Sequence, residues 1–229
     1  MSTKVSVKKS FPWGKALGAA VAVALLAAIV WAVVYFTPLC SLNSVEVEGN
    51  SRVSKDQIVD AVNVEHGTPL AQINVLEAGE RVAAVPWVKS VTVSRDWPSS
   101  LVVDVEEYSV VAFRNRDGAT ELYGVEGYPF AVDTPPEGTI EITGDAARNP
   151  EVAKDAVNVV SSLSDNARGL ISSIEARGPN EFALHLKDER LVVWGAAEDN
   201  KNKALAFDTV VQREGREFNI SNPRLVTSR

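Results

Sequence analysis

From Ala16 to Phe36 the chain runs 21 residues without a charge. At about 1.5 Å per residue a helix of that length covers roughly 30 Å, the thickness of the hydrocarbon core of a bilayer. A cleaved secretory signal has an apolar core of about 7 to 15 residues and closes on small side chains. This run is longer and ends in Trp31, Tyr35 and Phe36. With Trp13 at the other end, those rings match the two interfacial belts where amphipathic aromatics settle. Lys4, Lys8, Lys9 and Lys15 precede the run, and the next Lys or Arg is Arg52. The positive-inside bias then makes residues 1–15 a cytoplasmic tail, residues 16–36 a single transmembrane helix, and the bulk of the chain extracytoplasmic. Within the span Ala20, Ala24, Ala28 and Ala32 recur every fourth residue, and Gly14 and Gly18 extend the stripe. Small residues so placed let a second helix approach closely, or simply make an Ala-rich anchor.

Beyond residue 36 the chain carries 19 basic residues against all 30 of its acidic ones. An acidic region of this kind has no clustered Lys and Arg with which to displace counterions from a nucleic acid. With 45% hydrophobic residues the chain has enough apolar side chains for an anchor and one or two small domains. The single cysteine, Cys40, excludes an intramolecular disulfide, so the folded part is held by its core. Thr37, Pro38 and Leu39 before it do not suit lipoprotein processing, which wants a small residue directly ahead of the cysteine.

Val45 and Val47 alternate with polar neighbours and run into Gly49-Asn50, the pattern of a short strand closing in a turn. Ser54 and Gln57 stand at capping-box spacing ahead of a helix that buries Ile58, Ala61 and Val62, with Val53 placed to staple against Ile58. A second helix is expected from Leu76 to Val85, ended by Pro86, with Leu76, Gly79, Val82 and Val85 facing inward. Strands 87–95 and 101–107 follow, joined by Asp96-Trp97-Pro98-Ser99; Leu101, Val103 and Val105 form the apolar face of the second. Strand, helix, helix, strand, strand in about 65 residues is a compact α+β module.

After Tyr108 the pattern becomes richer in strands, expected at 110–114, 121–123, 139–142, 171–176, 181–186 and 191–194. Asp117-Gly118, Pro135-Pro136-Glu137-Gly138 and Gly178-Pro179-Asn180 separate them. Two helices are expected, from Pro150 to Ser164 and from Asp199 to Glu214, with Pro at one start and Gly215 after the other end.

No chemistry-bearing constellation accompanies this pattern. His66 and His185 are the two histidines, far apart in sequence, and no Cys or His cluster has metal-ligand spacing. There is no Gly-x-Ser-x-Gly elbow, phosphate loop or dinucleotide fingerprint. Ser6-Val7-Lys8-Lys9 matches Ser-x-x-Lys but falls in the tail ahead of the span. Glu106-Glu107 are strand neighbours that point to opposite faces, and Asp188-Glu189 reads as solvated charge. Trp87, Trp97 and Trp194 read as packing or interface residues. The chain is expected to be non-enzymatic, with no cofactor, metal or small-molecule substrate.

Several stretches together resemble the polypeptide-transport-associated (POTRA) module of the bacterial FtsQ/DivIB family. They are Val45-Glu46-Val47-Glu48-Gly49-Asn50, Gly67-Thr68-Pro69-Leu70, Val85-Pro86-Trp87-Val88, Ser94-Arg95-Asp96-Trp97-Pro98 and Leu101-Val102-Val103-Asp104-Val105-Glu106. Trp194-Gly195, the Lys203 helix and Phe218-Asn219-Ile220-Ser221-Asn222-Pro223 are similar to the closing segment of that family's β domain. Glu107-Tyr108-Ser109-Val110 departs from the family's Glu-Arg-x-Pro at the junction. The resemblance implies a POTRA domain over 42–108 and a β domain over 109–229. It also implies a division-septum scaffold in the plasma membrane that binds the small bitopic coiled-coil proteins FtsB and FtsL, linking early and late components. Partner contact is then expected at the C-terminal strand edge, on Arg224, Leu225, Val226 and Thr227 with Ile220 nearby. The alternative reading of the same module is a receptor for secretion or membrane-protein assembly.

Overall fold

The computed structural model describes the backbone of residues 13–36 and 40–228. The basic tail up to residue 12 lies outside the described residues. Helix α1 runs from Trp13 to Phe36. Its side chains are described at positions 18, 20–29 and 31–33, and all of these are exposed, Ala20, Ala24, Ala28 and Ala32 among them. Among the described residues no helix is long and apolar enough to cross a membrane.

The chain divides into two compact units, residues 1–106 and 107–229. In the first, strand β1 (Ser44–Glu48) is followed by α2 (Lys55–Val62), α3 (Val75–Ala83), β2 (Val88–Asp96) and β3 (Ser100–Glu107). This is the strand–helix–helix–strand–strand order that the sequence implies. Helix α2 begins where it does because Ser54 Oγ accepts from the Gln57 N–H while Gln57 Oε1 accepts from the Ser54 N–H. At the start of α3, Asn74 Oδ1 accepts from the Glu77 N–H. The sheet order is β1-β3-β2, with β1 parallel to β3 from Ser44 opposite Ser100 to Glu48 opposite Asp104. Leu101, Val103 and Val105 are buried beneath the helices with Leu42, Ile58, Val62, Leu70, Ala78 and Val82.

Helix α3 faces the sheet through Ala78 and Val82, one turn apart, and Leu76, expected inside, is 72% exposed. The Asn74 cap starts the helix one residue earlier than expected, and with Ala78 and Val82 packed inward Leu76 falls on the opposite face at 3.6 residues per turn. Two arginines pin the connections: Arg81 donates to Val62 O, and Arg95 donates to Leu70 O at 2.7 Å and to Ile73 O. Gly49 ends β1 at φ +78°, where a Cβ would fall 2.1 Å from Val105 O. No other residue fits that crossing.

The second unit is built on a nine-stranded sheet of order β12-β11-β10-β9-β8-β7-β4-β5-β6. Its strands are β4 (Ala112–Arg116), β5 (Ala119–Tyr123), β6 (Pro129–Val132), β7 (Ile140–Thr143), β8 (Ile171–Gly178), β9 (Glu181–Leu186), β10 (Leu191–Gly195), β11 (Glu217–Asn219) and β12 (Thr227–Ser228). Asp117 and Gly118 both take positive φ in the two-residue turn between β4 and β5, matching the twist of the hairpin. Helix α4 (Pro150–Ser162) packs on β7 and β8 and against α6 (Asn200–Val210). A third helix, α5 (Asp165–Leu170), corrects the expectation of two. Ser164, read as the last residue of α4, is instead the N-cap of α5, its Oγ accepting from the Ala167 N–H at 3.2 Å. The helices cover a core of Ile142, Val157, Ile174, Leu184, Trp194 and Phe207.

Candidate functional site

The C-terminal edge of the nine-stranded sheet is assembled from three segments: the end of β10, helix α6 and residues 217–228. Trp194 is fully buried, and its Nε1–H donates to Asn200 Oδ1 at 3.0 Å, tying the end of β10 to the first residue of α6. Lys203 is buried beneath the same connection and donates through Nζ to Ala196 O at 2.8 Å. Burial pushes its ammonium below the usual lysine range, and the nearby carboxylates of Asp199 and Glu198 act in the opposite direction. At the other end of α6, Arg190 donates to Val211 O at 2.9 Å and pairs with Asp188 at 2.8 Å. Helix α6 is therefore fixed to the sheet at both ends.

Strand β11 lies parallel to β10, with Phe218 opposite Val192, and Ile220 extends the ladder by donating to Val193 O at 2.9 Å. The chain then reverses in a polar turn. Asn219 Oδ1 accepts from both the N–H and the hydroxyl of Ser221, and Asn222 accepts from the Arg224 N–H through Oδ1 and from the Leu225 N–H through its carbonyl. Strand β12 returns antiparallel to β11, Ser228 opposite Phe218 and Thr227 opposite Asn219. Its other side has no strand partner among the described residues. Beside this turn a groove of about 420 Å³ is lined by the N-cap Asp199, by Asn202, Leu205, Ala206 and Thr209 of α6 and by Pro223 and Arg224. Leu205 and Leu225 are 67% and 69% exposed.

The residues expected at the partner edge separate into different roles. Thr227 is in the edge strand, whereas Arg224 and Leu225 are exposed in the turn before it. Val226 is half-buried against the core. Ile220 is fully buried, so its side chain belongs to the core and is not a contact residue. The strand starts later than expected because Asn222 draws the Arg224 and Leu225 N–H groups into its turn. Sequence reasoning missed Leu205 and Ser228. Leu205 lies off the α6 stripe of Lys203, Phe207 and Val210, and that mismatch was its one signal. Of the two histidines, His66 is exposed in a turn, and His185 on β9 lies 3.0 Å from Glu175, which also accepts from Arg177. Among the described residues no group of three or more His, Cys, Asp or Glu could hold a metal ion.

A sheet edge without a strand partner is a surface to which a further chain can add as a strand. Comparison with known proteins gives this surface a context. Residues 40–108 match the FtsQ-type POTRA domain family. The chain is similar to the cell division protein FtsQ of Corynebacterium glutamicum, with 34% identity over 90% of this chain and 95% of that one. It is also similar to the FtsQ of Mycobacteroides abscessus, with 33% identity over 90% of this chain and 67% of that one. Among solved structures it matches the major extracytoplasmic domain of the division protein DivIB from Geobacillus stearothermophilus. That match has a TM-score of 0.38 and 13% identity over 48% of this chain and 98% of that one, a likeness too low to bear on function.

Proposed function

The chain belongs to the FtsQ family of cell division proteins, and from that membership we propose that it is a single-pass scaffold of the division septum that holds partner proteins on its C-terminal sheet edge. It is non-enzymatic. Residues 1–15 form a cytoplasmic tail, 16–36 the membrane anchor, 42–108 the POTRA domain and 109–229 the β domain. Support for the anchor comes from the uncharged run itself and from α1, whose Val21, Val23, Leu25, Leu26, Ile29 and Trp31 are all largely exposed. A helix that is apolar all round needs a hydrocarbon or protein environment to cover it. The Ala20, Ala24, Ala28 and Ala32 stripe is where a partner helix would pack.

The observation that carries the proposal is the unpartnered side of β12, which follows a turn carrying the exposed Leu225, together with a groove formed by that turn and the Leu205 face of α6. Small bitopic coiled-coil proteins of the FtsB and FtsL kind supply what this surface takes: an extended segment to add as a strand, and apolar side chains to cover Leu205 and Leu225. The test is co-purification of the full-length chain with the FtsB-like protein of its host, paired with rescue of division in depleted cells. Leu225→Asp and Leu205→Asp together are expected to lower capture at least tenfold and to leave filamentous cells, with the melting temperature unchanged. Undiminished capture by a folded double variant would remove the edge from the function.

A further inference from the structure

We propose that the turn joining β2 to β3 is a membrane contact, in which the Trp97 indole enters the headgroup layer beside the anchor and seats the first unit on the outer leaflet. This rests on the proposed role of α1 as the bilayer span.

Connectivity places that turn at the membrane end of the unit. Strands β1 and β3 are parallel and begin together, Ser44 opposite Ser100, with their hydroxyl oxygens 2.9 Å apart. The N–H groups of Asn43 and Ser44 donate to Ser99 O at 2.8 and 3.4 Å. The turn therefore lies against the first residues of the unit. The loop at 65–69 is fastened to the same end, because Leu42 donates to Thr68 O and Gly67 donates to Leu42 O, both at 2.9 Å. From Phe36, the last residue of α1, to Leu42 there are six peptide steps, which fully extended reach roughly 20 Å. The headgroup layer on one side of a bilayer takes up about 5 to 8 Å of that distance. Even at full extension the rim stays within roughly 12–15 Å of the headgroups, and a compact linker sets it on the lipid.

The rim carries the side chain that suits this location. Trp97 is 47% exposed, whereas Trp87 and Trp194 are buried. An indole with an apolar body and a single N–H partitions to the interface. Beside it Asp96 is the one exposed charge of the turn; Arg95 is turned inward onto Leu70 O and Ile73 O, and Pro98, Ser99 and Ser100 on the other flank are uncharged.

The test uses the full-length chain in phosphatidylcholine vesicles containing lipids brominated near the glycerol end of the acyl chain. The wild-type minus Trp97→Phe emission isolates the indole in question, and it is expected to fall at least about twofold on quenching by those lipids. A second reading keeps Trp97 in place: an environment-sensitive dye on His66→Cys, in a Cys40→Ser chain, is expected to gain several-fold protection from aqueous iodide on reconstitution. An unquenched difference spectrum, or a fully accessible dye, in a chain that resists carbonate extraction overturns the contact and leaves the anchor standing. Release of the chain by carbonate overturns both.

Discussion

Ser221 sits directly over Gly195: a Cβ on Gly195 would lie 2.7 Å from Ser221 Cβ and 3.3 Å from its Cα. Gly195 ends β10 at φ +77°, and Ser221 begins the turn that delivers β12, so this one approach sets the height of the terminal edge. Gly195→Ala adds a clash to an unfavourable backbone conformation and is expected to cost about 1–3 kcal/mol. Differential scanning calorimetry measures the cost. Capture of the FtsB-like partner is expected to fall by more than the stability loss alone accounts for, since the displaced turn carries Leu225.

Arg114 is buried on β4 and gives Glu121 on β5 two bonds, at 2.6 and 3.2 Å, while its third donor reaches Ala147 O. Tyr123 Oη also donates to Glu121, at 2.9 Å. Arg114→Met leaves a largely buried carboxylate without its cation and is expected to cost about 3–5 kcal/mol. Arg114→Met with Glu121→Met is expected to cost less than the single change, because no unpaired charge remains. Urea unfolding of the four members of the cycle decides it.

Two carboxylates make the second unit acid-sensitive. For Glu121 burial works to raise the pKa, but hydrogen bonds from Arg114 and Tyr123 and the charges of Arg114 and Arg116 outweigh it and hold the carboxyl below the ordinary value of 4.5. Glu175 is lowered by hydrogen bonds from His185 and Arg177. Depressed groups stabilise the fold above the ordinary carboxylate pKa, and that contribution is lost as pH falls through the folded value. Melting temperature is expected to drop below pH 4.5, and Glu121→Gln to weaken that acid limb. On the alkaline side, burial and the Glu121 bond push Tyr123 from 10.0 up to about 12. Stability is expected to fall as pH climbs from 10.0 toward that value, because the unfolded chain ionises first, and Tyr123→Phe is expected to remove this loss.

The inward stripe of α3 can be read by mutation. Val82→Ala opens a cavity under the sheet and is expected to cost about 2 kcal/mol, whereas Leu76→Gln at the exposed position is expected to change stability by less than about 0.5 kcal/mol. Chemical denaturation of both variants distinguishes this orientation from the reverse one.

Much of the first unit is legible in its amino acids, because its signals are local. The Ser54–Gln57 capping box closes within one helical turn, and the alternation of Leu101, Val103 and Val105 needs only a pleated strand with one covered face. The second unit is legible in its β4, β5 and β7–β10 strands, to within a few residues at their ends. It is less legible where short segments depend on distant partners. Strand β6 has four residues and β11 has three, and both exist because β5 and β10 offer them a ladder.

Residue types at short spacing were enough to set the uncharged run of 16–36, the order of elements in the first unit, the polar turns and the absence of any catalytic motif. Three-dimensional packing was needed to turn Leu76 outward, to make Ile220 core, and to delay the start of the last strand to Thr227. It also brought Leu205 of α6 and Pro223 and Arg224 of the terminal turn to one groove. Those outcomes depend on which groups meet across the fold: Ala78 and Val82 packing into the core, Val193 claiming the Ile220 N–H, and Gly195 admitting Ser221. Periodicity can say that a residue is apolar, but only the packed neighbours say whether it faces the core or another protein.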